Sequence, residues 1–154
     1  RKRTGEKLKL LFVGRLVPYK GADMAIEALT HLDDRVRNKV HFTIVGDGSE
    51  KENLEKQTRN LGLEKTITFT GWIDQNETAR YYKESDVFCF PSVREFGGAV
   101  ALEAMASGLP CIVPDHAGLG EYVTEETGFK IRPVSREYLV SELAKKNPDF
   151  FRKP

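Results

Sequence analysis

Two glutamates stand close together in the segment "REFGGAVALEAMASGLP", positions 94 to 110. Glu95 precedes two glycines, whereas Glu103 lies inside a run of small and apolar residues. A carboxylate among apolar residues costs free energy unless a specific group pairs with it. The group that pairs with Glu103 is therefore informative about function. Glu103 is expected about two helical turns farther along the chain than Glu95, which corresponds to roughly 12 Å of helical rise. Carboxylates so far apart bind opposite ends of one elongated ligand rather than one metal ion.

Ordinary ion pairs explain the same two glutamates without any ligand. In that alternative Glu103 pairs with an arginine of another helix, and Glu95 pairs with its neighbour Arg94. The residues alone leave the two interpretations open.

Basic residues and glycines supply the complementary chemistry. "GRLVPYKG", positions 14 to 21, places Arg15 and Lys20 on a turn that opens a predicted helix. Two cations near a helix N-terminus favour a polyanion such as a diphosphate, although basic loop residues are commonly only solvated. Gly97 and Gly98 directly precede another predicted helix, whose free amides can point at phosphate or sugar oxygens.

Three further loops carry weaker signals. "GDGS", positions 46 to 49, is interpreted first as turn geometry. In "GWID", Trp72 either covers a base or packs over the sheet edge, and packing is the more common fate of a tryptophan. His116 in "PDHAG" is interpreted as part of a turn rather than as a metal ligand.

Alternating elements must position these loops. Apolar runs such as "LKLLFVG" and "VHFTIVGDG" read as strands, and each is followed by a segment with helical spacing such as "ADMAIEALTHL". Ser49 and Asn76 are the predicted N-caps of two of the helices. The pattern predicts an α/β class, a Rossmann-like parallel β-sheet of about six strands with helices on both faces. Ligands of such sheets bind outside the carboxyl ends of the strands.

Composition limits the function classes. The chain has 154 residues, 24 Lys plus Arg and 23 Asp plus Glu, which predicts one domain over 1–154 and argues against a nucleic-acid or membrane-binding surface. Cys89 and Cys111 lie in apolar runs, as buried reduced thiols do, so a reducing compartment is expected. No run is long enough to span a bilayer.

"RKRTGEK" and "NPDFFRKP", with Phe150 and Phe151, look like cut boundaries of a longer protein.

Four motifs in register resemble a known family. "GRLVPYKG", "FTGW", "DVFCFPS" and "EFGGAVALEAMASGLP" are similar to the C-terminal half of retaining glycosyltransferases with the GT-B fold, family 4, which includes sucrose and glycogen synthases and bacterial mannosyltransferases. The resemblance runs from about Leu8 to about Ile131. It implies a domain that binds a nucleotide-sugar donor for retaining transfer of a hexosyl group, with uridine, guanosine or adenosine as the base.

The resemblance also implies roles for single residues. Glu103 would bind the ribose hydroxyls, Glu95 would contact the donor sugar near the reacting carbon, and Arg15 and Lys20 would hold the diphosphate. The remaining donor-binding positions belong to the loops around them, with amides that reach phosphate or ribose and a backbone that frames the base: Gly14, Ile73, Gly97, Gly98, Ala99 and Val100.

The same resemblance implies what lies outside the chain. No metal or other cofactor would be required. The acceptor site would belong to an N-terminal domain absent from this sequence, so the chain alone would bind donor but turn over poorly. It would be cytoplasmic, at most on the cytoplasmic face of a membrane through the missing half. Phe96 follows the first glutamate directly, which departs from the family pattern at the sugar pocket.

Two other functions fit the same fold. A non-catalytic nucleotide-binding domain descended from such an enzyme fits, as does a nucleotide-sugar epimerase, although no acid and base arrangement for an epimerase is identified. A dehydrogenase is disfavoured, because the first strand ends in "GRLVPYKG" rather than in the glycine-rich dinucleotide fingerprint.

Overall fold

The computed structural model describes residues 7–95 and 97–149. The predictions for residues 1–6, for Phe96 and for Phe150 and Phe151 fall outside the described residues. Lys7 is the only member of the N-terminal segment "RKRTGEK" that is described, and it is exposed.

Six parallel strands form one sheet in the order β3-β2-β1-β4-β5-β6. β1 and β2 pair along their whole length, from Leu8 opposite Val40 to Val13 opposite Val45. All residues of β1 except Lys9 are buried, as expected for a strand covered on both faces. The strands are β1 (Leu8–Val13), β2 (Val40–Val45), β3 (Ile67–Gly71), β4 (Val87–Cys89), β5 (Cys111–Pro114) and β6 (Gly128–Ile131).

Helices connect the strands and cover both faces of the sheet. α1 packs against α3 and α7, while α4 contacts β1 and α5 contacts β5. The predicted α/β class and Rossmann-like sheet are confirmed. The helices are α1 (Ala22–Thr30), α2 (Asp34–Arg37), α3 (Lys51–Asn60), α4 (Gln75–Glu84), α5 (Ala99–Ala106), α6 (Ala117–Tyr122) and α7 (Arg136–Asp149), and a 3-10 turn spans Pro18–Lys20.

The two predicted N-caps are wrong. α4 is capped by Asp74, whose Oδ1 accepts from the backbone amide of Glu77 at 2.9 Å, so Asn76 already lies within the helix. α3 begins after Glu50, which makes no capping side-chain bond, and Ser49 lies one residue before it. The amide of Glu50 donates instead to the carbonyl of Leu16 at 2.8 Å, so a contact with the loop after β1 determines where α3 starts.

Three phenylalanines form the floor beneath the middle of the sheet's carboxyl edge. The rings of Phe12 and Phe90 lie 5.5 Å apart, and those of Phe88 and Phe90 lie 5.6 Å apart. Each ring is fully buried, and such aromatic pairs contribute about 1 kcal/mol beyond their area burial. β1 and β4 therefore hold a rigid base below the loops that follow them.

Candidate functional site at the junction of β1 and β4

The strand order creates a crevice at the carboxyl ends of β1 and β4. After β1 the chain crosses to β2 on one side, and after β4 it crosses to β5 on the other. Because the two loops leave in opposite directions, they open a space at this switch point, which is where ligands bind in open α/β sheets. The loop after β1 carries Lys20, and the loop after β4 carries Glu95.

An ion pair joins the two loops. Lys20 Nζ donates to Glu95 Oε1, and Ser92 Oγ donates to the same oxygen at 3.0 Å. The side chains of Lys20 and Glu95 are only 18% and 11% exposed. Lys20 Nζ also lies 5.4 Å from the ring centroid of Phe90, so the aromatic floor supports the ammonium. The site thus places a cation and a carboxylate side by side in a shielded crevice.

The alternative pairing of Glu95 with Arg94 is wrong. Glu95 pairs with Lys20, 75 positions away in the chain, and the Arg94 guanidinium lies over the ring of Tyr19 at 5.7 Å. The neighbouring arginine instead packs on the other loop of the crevice.

Backbone contacts hold the two loops in register. The amide of Val93 donates to the carbonyl of Tyr19 at 3.0 Å. Gly21 adopts φ +74, and a Cβ there would lie 2.5 Å from the carbonyl oxygen of Pro91. Only glycine fits this close approach, so the relative position of Lys20 and Glu95 is built into the fold.

Gly14 and Arg15 lie on the β2 side of the same loop. Gly46 has φ +139, and a Cβ there would lie 1.9 Å from the oxygen of Gly14, which supports the interpretation of "GDGS" as turn and close-approach geometry. Arg15 is exposed and makes no described contact with Lys20 or Glu95. The structure therefore brings Lys20 to the carboxylate and leaves Arg15 facing solvent at the same edge.

The N-terminus of α5 completes the crevice. Gly98 precedes the helix with φ +55, and a Cβ there would lie 2.7 Å from Leu119 Cδ2. The amides of Ala99 and Val100, in the first turn, have no acceptor within the helix by α-helical geometry. Gly97 is exposed beside them. These donors follow directly on the loop that carries Glu95.

Glu103 is exposed, so the expectation of a buried carboxylate is wrong. α5 buries only the small residues Ala101 and Ala104, while Leu102 beside Glu103 is 42% exposed. The predicted rise of roughly 12 Å assumed helical rise all the way from Glu95 to Glu103, whereas the helix begins only at Ala99. Glu103 is its fifth residue, about 6 Å of rise from the first.

The partner of Glu103 is Tyr82 rather than an arginine. Tyr82 Oη donates to Glu103 Oε2 at 3.0 Å, and Tyr82 is only 3% exposed. Burial, and then the charge of Glu103, raise the pKa of Tyr82 far above its usual value, so the hydroxyl stays protonated. The sequence signal for this residue is only its helical spacing from Thr78, four positions earlier, because the burial of both residues is seen in the structure alone.

The loop after β3 reaches the same edge of the sheet. Trp72 is 76% exposed, so the packing interpretation of this residue is wrong. Ile73 is half-buried and packs against the core, which fixes the backbone that follows the strand. An exposed indole and a fixed backbone segment therefore lie at the same carboxyl edge of the sheet, on the far side of β2 from β1.

A cavity of about 580 Å³ lies on the other side of the crevice. Pro18 and Val93, two residues before Lys20 and Glu95 respectively, line it together with His116. Arg136 also lines it and pairs with Asp23 at 2.9 Å. The two loops that carry the ion pair thus also border a cavity that is large enough for a small molecule.

The two cysteines are buried in the core, and Cys111 Sγ lies 3.9 Å from the carbonyl oxygen of Ala101 in α5. Cys89 and Cys111 are free and buried, as predicted, and burial raises the pKa of each to about 12 from the ordinary value of 9.0. Within the described residues, no three His, Cys, Asp or Glu side chains are grouped closely enough to hold a metal ion. None of the described helices is long and apolar enough to cross a membrane.

Residues 1–146 match the family described as Glycosyl transferases group 1. The chain therefore belongs to this glycosyltransferase family. It is 38% identical over 117 residues to an uncharacterised glycosyltransferase of Methanocaldococcus jannaschii, covering 76% of this chain and 30% of that protein. The chain thus spans about three tenths of the length of that relative.

Solved structures share the fold over almost the whole chain. Anabaena HepE in complex with UDP and glucose superposes with a TM-score of 0.82 at 26% identity, covering 96% of this chain and 39% of that one. The C-terminal domain of a group 1 family protein, LpcC of Francisella tularensis, superposes with a TM-score of 0.73 at 26% identity. That comparison covers 94% of this chain and 84% of the LpcC domain.

Proposed function

We propose that this chain is the donor-binding, C-terminal domain of a retaining GT-B glycosyltransferase of family 4. It binds a nucleoside diphosphate sugar for transfer of the hexosyl group to an acceptor. The acceptor site lies on a separate N-terminal domain of the same protein. The observation that carries the proposal is the meeting of Lys20, Glu95 and the α5 N-terminus at the switch point of the sheet.

These groups suit a diphosphate leaving group. When the bond between the anomeric carbon and the phosphate oxygen breaks, its electron pair stays on the diphosphate. Lys20, Arg15 and the amides of Gly98 to Val100 offer positive charge and N–H donors to that developing charge. Because protein groups supply this charge, the proposal includes no metal and no other cofactor.

The remaining residues follow the shape of the donor. Glu95, beside Lys20 in the shielded crevice, contacts the sugar near the reacting carbon, and Glu103 accepts hydroxyl protons of the ribose. The loop of Gly14, the exposed Gly97 and the backbone of Ile73 border the phosphates, sugar and base. The binding of UDP and glucose by HepE supports a hexosyl donor and makes uridine the first base to test.

Two findings support the placement within a larger protein. The chain covers only about three tenths of its matched relative, yet most of an isolated C-terminal domain of the same family.

The two buried free thiols suit a reducing, cytoplasmic location. The domain by itself is proposed to bind donor with little or no transfer.

Calorimetric titration of the chain with UDP, GDP and ADP tests the proposal. One diphosphate is expected to bind selectively, in EDTA as well as in Mg²⁺, and Lys20→Ala is expected to weaken it about tenfold or more. Lys83→Ala, at an exposed lysine of α4, is the matched control and is expected to bind like the wild type.

Two results would contradict the proposal. Equal loss of affinity in Lys20→Ala and Lys83→Ala would mean that general charge, not the crevice, attracts the nucleotide. Absence of binding to all three diphosphates, both for the chain and for the full-length protein, would remove the donor site altogether. The retaining mechanism is tested separately by the anomeric configuration of the product formed by the full-length enzyme.

A further inference from the structure

We propose that Tyr82 is a positioning residue of the donor site, which holds the Glu103 carboxylate in the orientation that accepts ribose hydroxyls. The inference rests on the proposed function, because it takes ribose as the ligand of Glu103. It adds a buried residue of α4 to a site otherwise made of loops and the start of α5.

Tyr82 is anchored to the same aromatic floor that supports Lys20. Its ring centroid lies 5.8 Å from that of Phe88, which stacks on Phe90, and the Phe90 ring lies below Lys20 Nζ. Thr78, one turn earlier on α4, is also buried, so this face of the helix is fixed against the core. The Tyr82 hydroxyl therefore has little freedom of position.

The hydrogen bond from Tyr82 fixes the orientation of the exposed Glu103 side chain. An exposed glutamate on a helix samples several rotamers, and the 3.0 Å bond from Tyr82 Oη to Oε2 selects one of them. Because the Tyr82 hydroxyl stays protonated, it always donates and the carboxylate always accepts. The Tyr82 hydroxyl thereby holds the Glu103 carboxylate by one oxygen, Oε2.

The other carboxylate oxygen is left for a ligand. No described residue donates to Glu103 Oε1. A carboxylate is an acceptor only, so the ligand group must be a donor, and the 2′ and 3′ hydroxyls of ribose are such donors. The rival explanation is that Glu103 merely satisfies a buried phenol, in which case Tyr82 would not affect ribose recognition.

Discrimination between ribose and deoxyribose separates these explanations. The full-length protein is titrated with UDP, 2′-deoxy-UDP and 3′-deoxy-UDP, or with the matching forms of GDP or ADP if the wild type binds that base. The wild type is expected to prefer UDP over at least one deoxy form by about tenfold. Glu103→Ala is expected to abolish the preference, and Tyr82→Phe is expected to reduce it by at least about threefold.

Three further variants make the test specific. Tyr81→Phe, the same change one position earlier on α4, is expected to keep the wild-type preference. Glu103→Asp keeps a carboxylate and the Tyr82 hydroxyl but shortens the side chain by one methylene, so the 3.0 Å bond is weakened and the preference is expected to be lost. In the double variant Tyr82→Phe with Glu103→Ala, affinities are expected to equal those of Glu103→Ala alone.

The outcomes distinguish the inference from the function on which it rests. If Glu103→Ala removes the ribose preference but Tyr82→Phe and Glu103→Asp retain it, the donor site stands and the positioning role is wrong. Equal weakening of all three ligands by Tyr82→Phe would assign Tyr82 a structural role only and overturn the inference. If the wild type binds none of the three diphosphates, the proposed function and the inference both fail.

Discussion

At the scale of single residues, the Lys20–Glu95 pair places opposite charges side by side, where the proposed donor would present its diphosphate and its sugar. The two side chains come from loops 75 positions apart, and Ser92 adds a second donor to the carboxylate. A glutamate beside a diphosphate repels it, so in the proposed site Glu95 would weaken binding of the leaving group while it contacts the sugar. Binding and turnover should therefore respond in opposite directions when this charge is removed.

Glu95→Gln tests this separation. We expect UDP to bind to the variant about as tightly as to the wild type or several-fold more tightly, because repulsion of the phosphates is lost. We expect kcat of the full-length enzyme to fall by about a hundredfold, since the contact near the reacting carbon is altered. Calorimetry and a sugar-transfer assay measure the two effects, with Glu50→Gln as a control outside the crevice. A loss of UDP affinity with unchanged kcat would contradict the role of Glu95.

Sequence patterns predicted the types of these residues but not their contacts. Glu95, Lys20 and Glu103 stand out because of local motifs, and their chemistry follows from their side chains. The partner of each depends on which strands become neighbours and on which helix faces meet, and these are long-range properties. Arg94 was an incorrect partner for Glu95 because adjacency in the chain does not place two loop side chains on the same side.

At the scale of elements, α4 matters because it carries Tyr82 and because its start is set by one cap. Asp74→Ala is expected to lower the free energy of unfolding by about 1 kcal/mol, since the amide of Glu77 loses its acceptor. Asn76→Ala is the matched control and is expected to change it by less than about 0.5 kcal/mol. Urea titrations followed by circular dichroism compare the two variants. Equal effects would mean that Asp74 is not the functional cap.

α6 begins with a residue in a conformation that favours glycine. Ala117 has φ 47, the only positive φ among the described non-glycine residues, and its side chain is exposed. Ala117→Gly is expected to raise the free energy of unfolding by about 0.5 to 1 kcal/mol, because glycine adopts this region without strain.

Ala79→Gly provides the opposite control for that change. It replaces an exposed alanine in the interior of α4 and is expected to lower stability by about 1 kcal/mol. Thermal and urea unfolding measure both variants. A loss of stability in Ala117→Gly as large as in Ala79→Gly would show that the strain at position 117 is absent in solution.

Strands and most helices were predictable because each is an apolar or amphipathic run with a clear period. β1 and β2 read as mainly apolar segments, and the glycines around α5 mark both of its ends. The starts of α3 and α4 were not predictable in the same way. Ser49 and Asn76 have capping side chains, yet a tertiary contact of Glu50 and an earlier aspartate decide where the helices begin.

At the scale of the whole molecule, the buried thiols give stability a defined pH dependence. The pKa of Cys89 and of Cys111 is raised to about 12 in the folded state from 9.0. Above pH 9 the unfolded chain therefore loses these protons before the folded chain does, and stability falls as pH rises. The two thiols together should lower the free energy of unfolding by about 2 kcal/mol between pH 9 and pH 10.

Variants isolate this contribution from that of other groups. Cys111→Ala is expected to be less stable overall but to lose only about half as much stability between pH 9 and pH 10. Urea titrations at fixed pH values measure the slope in each protein. Equal slopes in the wild type and in Cys111→Ala would show that burial does not hold this thiol protonated.

We propose one place in the fold for the nucleotide. The chemical shifts of backbone amides report directly where a ligand binds. The chain has a mass of 17.4 kDa, which suits assignment of its amide signals by nuclear magnetic resonance. On addition of the diphosphate that binds, we expect the largest shifts at Gly14, at Ile73 and at the amides of Gly97 to Val100. Shifts confined to the opposite edge of the sheet, around Lys9, His41 and Gly128, would contradict a donor site at the junction of β1 and β4.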